Sequence, residues 1–304
     1  MAKINDPGFG YKSNKKATRL VNNDGSFNMK HVNGNFSVTE LYSYLIHVSW
    51  GKFFFFVFIG YTLVNLLFAT VYYSIGIEQL TLARTNSVQD FINAFFFSSQ
   101  TLTTLGYGAI SPVGNAAGFV SSFEALIGLL SFSFFTGLIY GRFSKPKAAI
   151  RFSETMVLRP FKGKRALMFR LMNKRKNIMI EPGINVTMAV NSTDANGTFK
   201  RDFFELALER KQIMYMPTTW TIVHEIDEKS PLYEYTDSEI EALQAELFLL
   251  IEYYEDAFSQ NVYQMHSYDF NTVEIGKRFV PAYYFDELGN AVLDHNKLSE
   301  TESV

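Results

Sequence analysis

Three apolar stretches dominate the first half of the chain, and short alternating runs fill the second. Residues 53–73, FFFFVFIGYTLVNLLFATVYY, carry no charge. A helix needs about 20 such residues to cross the hydrocarbon core of a bilayer, so a spanning helix is predicted here. Residues 115–143, NAAGFVSSFEALIGLLSFSFFTGLIYGRF, predict a second span, with Glu124 the only charge before Arg142. Between them, residues 91–103, FINAFFFSSQTLT, are apolar but too short to cross, the length of a re-entrant helix. Ahead of the first span, SVTELYSYLIHVSW (37–50) sets Leu41, Leu45, Ile46 and Val48 toward one side, with Ser37 or Thr39 as a cap. That pattern predicts an amphipathic helix lying at a membrane surface, with Trp50 at headgroup level.

Beyond Pro146 the period changes. RALMFRLMN, NIMIEP, NVTMAVN, GTFKRDFFELALER, TWTIVHEID, ELFLLIEYY and NVYQMHSYDF alternate apolar and polar residues and are broken by Gly, Pro, Asn and Asp. Many short strands at such spacing predict a β-sandwich, with one short capped helix over 236–244. The expected organisation is an α+β membrane protein. A mobile N-terminal arm covers 1–37, an interfacial helix 38–51, a transmembrane pore domain 52–146, a β-sandwich 147–294 and a disordered tail 295–304.

Composition narrows the function classes. The chain has 304 residues and no cysteine, which removes disulfides, thiolate metal sites and cysteine nucleophiles. A net charge of -2 gives no reason to expect a nucleic-acid partner. The polar N-terminus, without an apolar core, does not read as a signal peptide. Basic residues flank the spans on their outer sides: Lys12, Lys15, Lys16, Arg19, Lys30 and Lys52 before the first, and Arg142, Lys145, Lys147 and Arg151 after the second, against Arg84 alone between them. The positive-inside rule then places both termini in the cytoplasm of a multi-pass protein of the cell membrane.

The short helix runs directly into TLTTLGYGAISP (101–112), which has no charged residue. Non-helical backbone at membrane depth is tolerated only where protein buries it or it lines a watery path. Gly106 and Gly108 take left-handed angles cheaply. Alternating such angles turns successive carbonyls of Thr104, Leu105, Gly106 and Tyr107 toward one axis, where rings of them replace the water shell of K+. Leu105 and Tyr107 would point away and pack, fixing the ring width. One chain supplies one wall, so a pore requires assembly, and four copies around an axis, a homotetramer, is the arrangement of potassium filters. The short helix would aim its negative C-terminal end at the ion path. No spacing matches a catalytic, nucleotide or resident-metal site; no enzyme activity and no cofactor are expected, with K+ as permeant ion.

These features resemble the inward-rectifier potassium channel family, in its prokaryotic branch. The resemblance runs through RLVNNDGSFNM, VNLLFA, TLTTLGYG, FEALIG, TGLIYGRFSKPKAAIRFS, LRPFKGKRALMFRLMN, TTWTIVHEIDEKSPLY, FSQNVYQMHSY and GKRFV. The downstream blocks are the specific ones, since many potassium channels share the filter. The resemblance implies a tetramer whose cytoplasmic immunoglobulin-like sandwich extends the pore, with barium as a pore blocker.

The resemblance also implies roles for particular residues. Tyr140 matches the aromatic position that narrows the inner mouth; an interfacial lipid-anchoring tyrosine is the other reading. Gly137 resembles a helix hinge, with Gly128 the alternative, and either serves equally as a close-packing site. Glu124 matches an acidic residue behind the filter and reads as structural support, or by default as a functional intramembrane carboxylate. Phe132 stands where strongly rectifying animal channels carry an acid, about two turns above the gate, so weak rectification is expected. The extracellular cysteine pair of animal members is absent, and Ala109 follows the filter where many channels have Asp. Arg142, Lys145, Lys147 and Arg151 form a cluster for anionic lipid, a phosphoinositide by the resemblance, or else simply the topology signal. Residues 225–256 are acidic, either a cation-concentrating vestibule or a solvated face, and residues 256–260 are expected in a loop that narrows the pore. His47, His224 and His266 are candidate pH sensors. Two rival readings stand beside the channel: a membrane-anchored sensor with a vestigial pore, and a nonselective cation pore.

Overall fold

The two long apolar runs become the two longest helices among the described residues. The computed structural model describes residues 21–22, 25–28, 32, 37–146, 148–193 and 199–304. The chain divides into two units: residues 33–145, and residues 1–32 together with 146–304. The predicted N-terminal arm lies for the most part outside the described residues.

In the membrane-type unit, α1 spans Val38–His47 and starts in a capping box. The Ser37 hydroxyl accepts from the Glu40 amide at 3.2 Å, and the Glu40 carboxylate accepts from the Ser37 amide at 3.3 Å. The interfacial helix was expected to continue to residue 51. It stops at His47 because Val48 and Ser49 adopt extended backbone, and Trp50 opens the next helix. Helix α2 is Trp50–Ile75 (26 residues) and α4 is Asn115–Phe143 (29 residues), both long and apolar enough to cross a membrane. Helix α3, Ser87–Leu102, is half that class of length, and its N-cap Asn86 side chain accepts from the Gln89 amide at 2.9 Å. Phe68, Ala69, Tyr72, Ala94, Phe97 and Ala117 form the apolar contact among α2, α3 and α4.

The other unit is a two-sheet sandwich. One sheet centres on β3 (Lys164–Asn173), which pairs antiparallel with β1 (Ile150–Phe152), β2 (Met156–Phe161) and β6 (Thr219–Ile226). β9 (Val273–Ile275) adds to β2 in parallel. The second sheet is antiparallel, in the order β5 (Phe199–Glu205), β4 (Met179–Thr193), β7 (Ala245–Glu255), β8 (Gln260–Asp269). The predicted runs NIMIEP and NVTMAVN are one strand, β4, with its pairing to β7 broken between Ile180 and Gly183. Alternation along β7 buries Leu247, Leu249, Ile251 and Tyr253 against Leu158, Leu167 and Phe169 of the facing sheet. Helix α5, Asp237–Glu241, is capped by Thr236 as the sequence predicts.

Two expectations are corrected here. The tail is ordered: β10 (Lys277–Phe279) pairs with β13 (Thr301–Ser303), Leu298 is buried, Arg278 meets Glu302 at 2.9 Å, and the Thr301 hydroxyl donates to Glu274 at 2.6 Å. A polar composition hid a strand that needs only one neighbour. Between β10 and β13, β11 (Tyr283–Phe285) and β12 (Ala291–Leu293) form a hairpin. The arm is also not wholly free. Val21 is buried against Ala189, Phe203, Phe248 and Met265 on the outer face of the second sheet, and its carbonyl accepts from Ser267 at 2.7 Å.

Candidate ion-conduction site

Helix α3 ends at Leu102, and the chain leaves it without turning back into a strand. The amides of Leu105 and Gly106 both donate to the Gln100 carbonyl, at 2.9 and 3.3 Å, so the first residues of the loop hang from the end of the helix. Thr104, Gly106 and Gly108 have φ of 58, 50 and 80°, while Leu105 and Tyr107 keep negative φ. The alternation expected from the two glycines thus extends to a third residue, Thr104, which the sequence did not mark. At 104 the left-handed conformation falls on a β-branched residue, an uncommon choice that surrounding structure must enforce. Leu105 and Tyr107 are exposed in the single chain, Tyr107 by 73%; they do not pack within it.

The return path is pinned. The Thr81 amide donates to Ser111 O, the Ser111 amide to the Thr81 hydroxyl, and the Val113 amide to Gln79 O, at 2.9, 2.9 and 2.8 Å. Behind the loop lies a buried polar cluster. The Glu124 carboxyl, wholly buried on α4, accepts from the Ser98 hydroxyl of α3 at 2.5 Å and from the Tyr72 hydroxyl of α2 at 2.6 Å. Asn65 joins Ser98 at 3.0 Å. One carboxyl therefore ties three helices together.

The two candidate hinge glycines separate. A Cβ built on Gly128 would lie 2.0 Å from Leu102 O, so α4 crosses the end of α3 where only glycine fits; at Gly137 there is open space. Gly128 is a close-packing position. Phe132 and Tyr140 both lie on exposed surface of α4 in the single chain.

The described basic residues of the expected lipid cluster each have partners within their own unit. Arg142 was expected either at anionic lipid head groups or simply as part of the topology signal. Its Nη1 donates to Leu45 O and Ile46 O and its Nη2 to Val48 O, capping the end of α1, while the guanidinium lies over Trp50 and Phe53 at 4.3 and 4.5 Å. Lys145 lies 3.4 Å from the His47 ring, and Arg151 donates to His295 O. Lys147 lies outside the described residues. The acidic stretch is partly paired: Glu225 and Asp227 approach Lys164, Asp237 meets Arg165 at 2.7 Å, and Glu246 lies 3.8 Å from Arg201. Of the residues 256–260 expected in a pore-narrowing loop, 256–259 form the tight turn from β7 to β8, with Ser259 at φ 51°, and Gln260 opens β8. His224 is buried between Ala207 O and the Ser230 hydroxyl, and burial holds its pKa below the ordinary value. His266 stacks on Phe152 at 4.4 Å. Among the described residues no three His, Asp or Glu converge as a metal cage.

Two span-length helices bracketing a half-length helix and a Gly-Tyr-Gly loop, followed in sequence by a β-sandwich, define the class of two-span potassium channels. The comparisons place the chain within that class. A family model described as "Ion channel" matches residues 60–145, and one described as "Inward rectifier potassium channel C-terminal domain" matches residues 150–304. The chain is 34% identical over 293 residues to "Inward rectifier potassium channel Kirbac3.1" of Paramagnetospirillum magnetotacticum, covering 96% of this chain and 98% of that protein. The chain belongs to the inward-rectifier potassium channel family, in its prokaryotic branch. The family is one of ion channels, not enzymes, and a tetramer is consistent with it. A match to a solved Pseudomonas fluorescens alkylpurine DNA glycosylase, at 11% identity and TM-score 0.20 over 59% of this chain and 46% of that one, carries no argument.

Proposed function

We propose that four copies of this inward-rectifier-type channel pass K+ selectively and passively through rings formed by the carbonyls of Thr104, Leu105, Gly106 and Tyr107. The observation that carries this reading is the alternating sign of φ at residues 104–108. Such alternation turns successive carbonyls to one side, and fixed carbonyl dipoles replace the hydration shell of the ion. The exposed faces of Leu105 and Tyr107 then belong against neighbouring copies, where they set ring width. Glu124, held by Tyr72 and Ser98, supports the filter from behind rather than binding the ion.

In this reading Tyr140 forms the aromatic constriction at the inner end of α4, and Gly137, with free space around it, is the hinge. Phe132 gives polyamines and Mg2+ no charge partner, so rectification at this position is weak. Both termini are cytoplasmic. Lys145, Lys147 and Arg151 attract anionic lipid, each basic residue contributing about 1 kcal/mol near such a surface.

The test is rubidium uptake into liposomes holding the purified protein. Barium-sensitive uptake that favours Rb+ over Na+ is expected, and Gly106→Ala should abolish it while the tetramer survives. Selective flux in Gly106→Ala would remove the filter assignment. Equal Na+ flux in the parent would make it a nonselective pore. Silence both with and without anionic lipid would favour the sensor reading.

A further inference from the structure

The sandwich holds a cavity of about 580 Å3 that ion conduction leaves unused. It lies on the face of β2, β3 and β6 turned away from the sandwich core, beneath the segment that leads into the β11–β12 hairpin. Its floor holds Arg170, only 3% exposed. The guanidinium lies over the Phe279 ring at 4.5 Å, and Nη1 donates to Val280 O at 2.8 Å. Its Nε–H is buried with no acceptor. Burial alone pulls the Arg170 pKa down to about 10; among the described residues no carboxylate offsets it. A buried cation without a counter-charge is costly.

The surrounding chemistry has one sign. Arg159 and Arg278 also line the cavity, and no Asp or Glu does. Arg278 meets Glu302 through Nε, in an exposed pair. Thr219 and Thr221 add hydroxyl donors, and Phe279 and Tyr284 supply flat apolar walls. Arginines with spare donors are suited to carboxylate and phosphate oxygens. Few polar groups in a partly apolar cleft is also the common make-up of a small-molecule site.

We infer that this cavity is a binding site for a small soluble organic anion, a carboxylate or phosphate carried on a flat apolar body, held by Arg170 with Arg159 and Arg278. The inference stands apart from the conduction reading, and its test reads binding rather than flux. Isothermal titration of the full-length protein in detergent would use phenyl phosphate, benzoate and inorganic phosphate as probes. One saturable site per chain is expected for phenyl phosphate or benzoate, with inorganic phosphate weaker. Arg159→Gln and Arg278→Gln, both at accessible positions, should each weaken binding by about ten-fold. Arg170→Gln should abolish it, and a thermal melt tells lost binding from lost folding in that variant. Absence of binding at millimolar probe, or binding indifferent to Arg159→Gln and Arg278→Gln, overturns the inference. So does a structure of the tetramer with a neighbouring copy's carboxylate seated on Arg170. Binding of a short-chain phosphatidate without binding of phenyl phosphate would assign the cavity to a lipid head group and overturn the soluble ligand.

Discussion

Glu124 and Tyr72, far apart in the chain, meet through a 2.6 Å hydrogen bond in which the phenol donates to a wholly buried carboxyl. The second carboxyl oxygen takes the Ser98 hydroxyl, so the bond is one strut of a three-helix brace. Tyr72→Phe leaves a buried acceptor short of a donor, a loss of about 1–3 kcal/mol. The variant should melt earlier in detergent, and Glu124→Ala earlier still. The double variant should cost less than the sum, because each removes the same contact. Additive losses would show that the two side chains act independently.

Gly128 and Gly137, both on α4, should respond differently to the same methyl group. Gly128→Ala drives a Cβ into Leu102 O and should weaken the tetramer and the order of the filter. Gly137→Ala meets nothing and should assemble and melt like the parent, altering only open probability. Single-channel recording beside a melting curve separates the two. Equal thermal losses would remove the distinction.

Phe132 tests rectification directly. Phe132→Asp would place a carboxylate on α4 where, in the proposed pore, spermine and Mg2+ would find a counter-charge. Outward current should then fall steeply with added spermine, and the parent should show little such block. Strong spermine block in the parent would locate the blocker's partner elsewhere.

His224 predicts a pH effect on the sandwich. Its folded pKa is held below the ordinary value of 6.5 by burial. Below that value the unfolded chain takes up a proton that the folded one resists, so stability falls as pH drops through and below about 6.5. Melting of the full-length protein between pH 7.5 and 5.5 should show the loss, and His224→Gln should flatten it. A steeper loss in His224→Gln would assign the effect to another group.

Much of this was legible from period and length alone. The spans, the half-length helix and the two left-handed glycines of the loop follow from where charge is missing and where glycine is required. Four features were not. The left-handed angle at Thr104 is imposed by amides hanging on Gln100 O, a constraint with no residue-type signature. The order of the tail depends on pairing with β10, which a polar composition conceals. Arg142 read as one basic residue among four, because sequence cannot show that the carbonyls of Leu45, Ile46 and Val48 converge on it. The buried Arg170 sits in an alternating strand like any other, and only its orphaned Nε distinguishes it.

The burial of Val21 imposes an order of events on synthesis. It is made before the membrane unit, yet Ala189, Phe203, Phe248 and Met265, which cover it, come after that unit. The ribosome releases the chain from its N-terminus, so this apolar residue waits uncovered through insertion of both spans. It closes only when the last strands of its sheet exist. A chain cut short before Met265 cannot complete this cover, and the seam therefore works as a seal that is set only once β8 has been made.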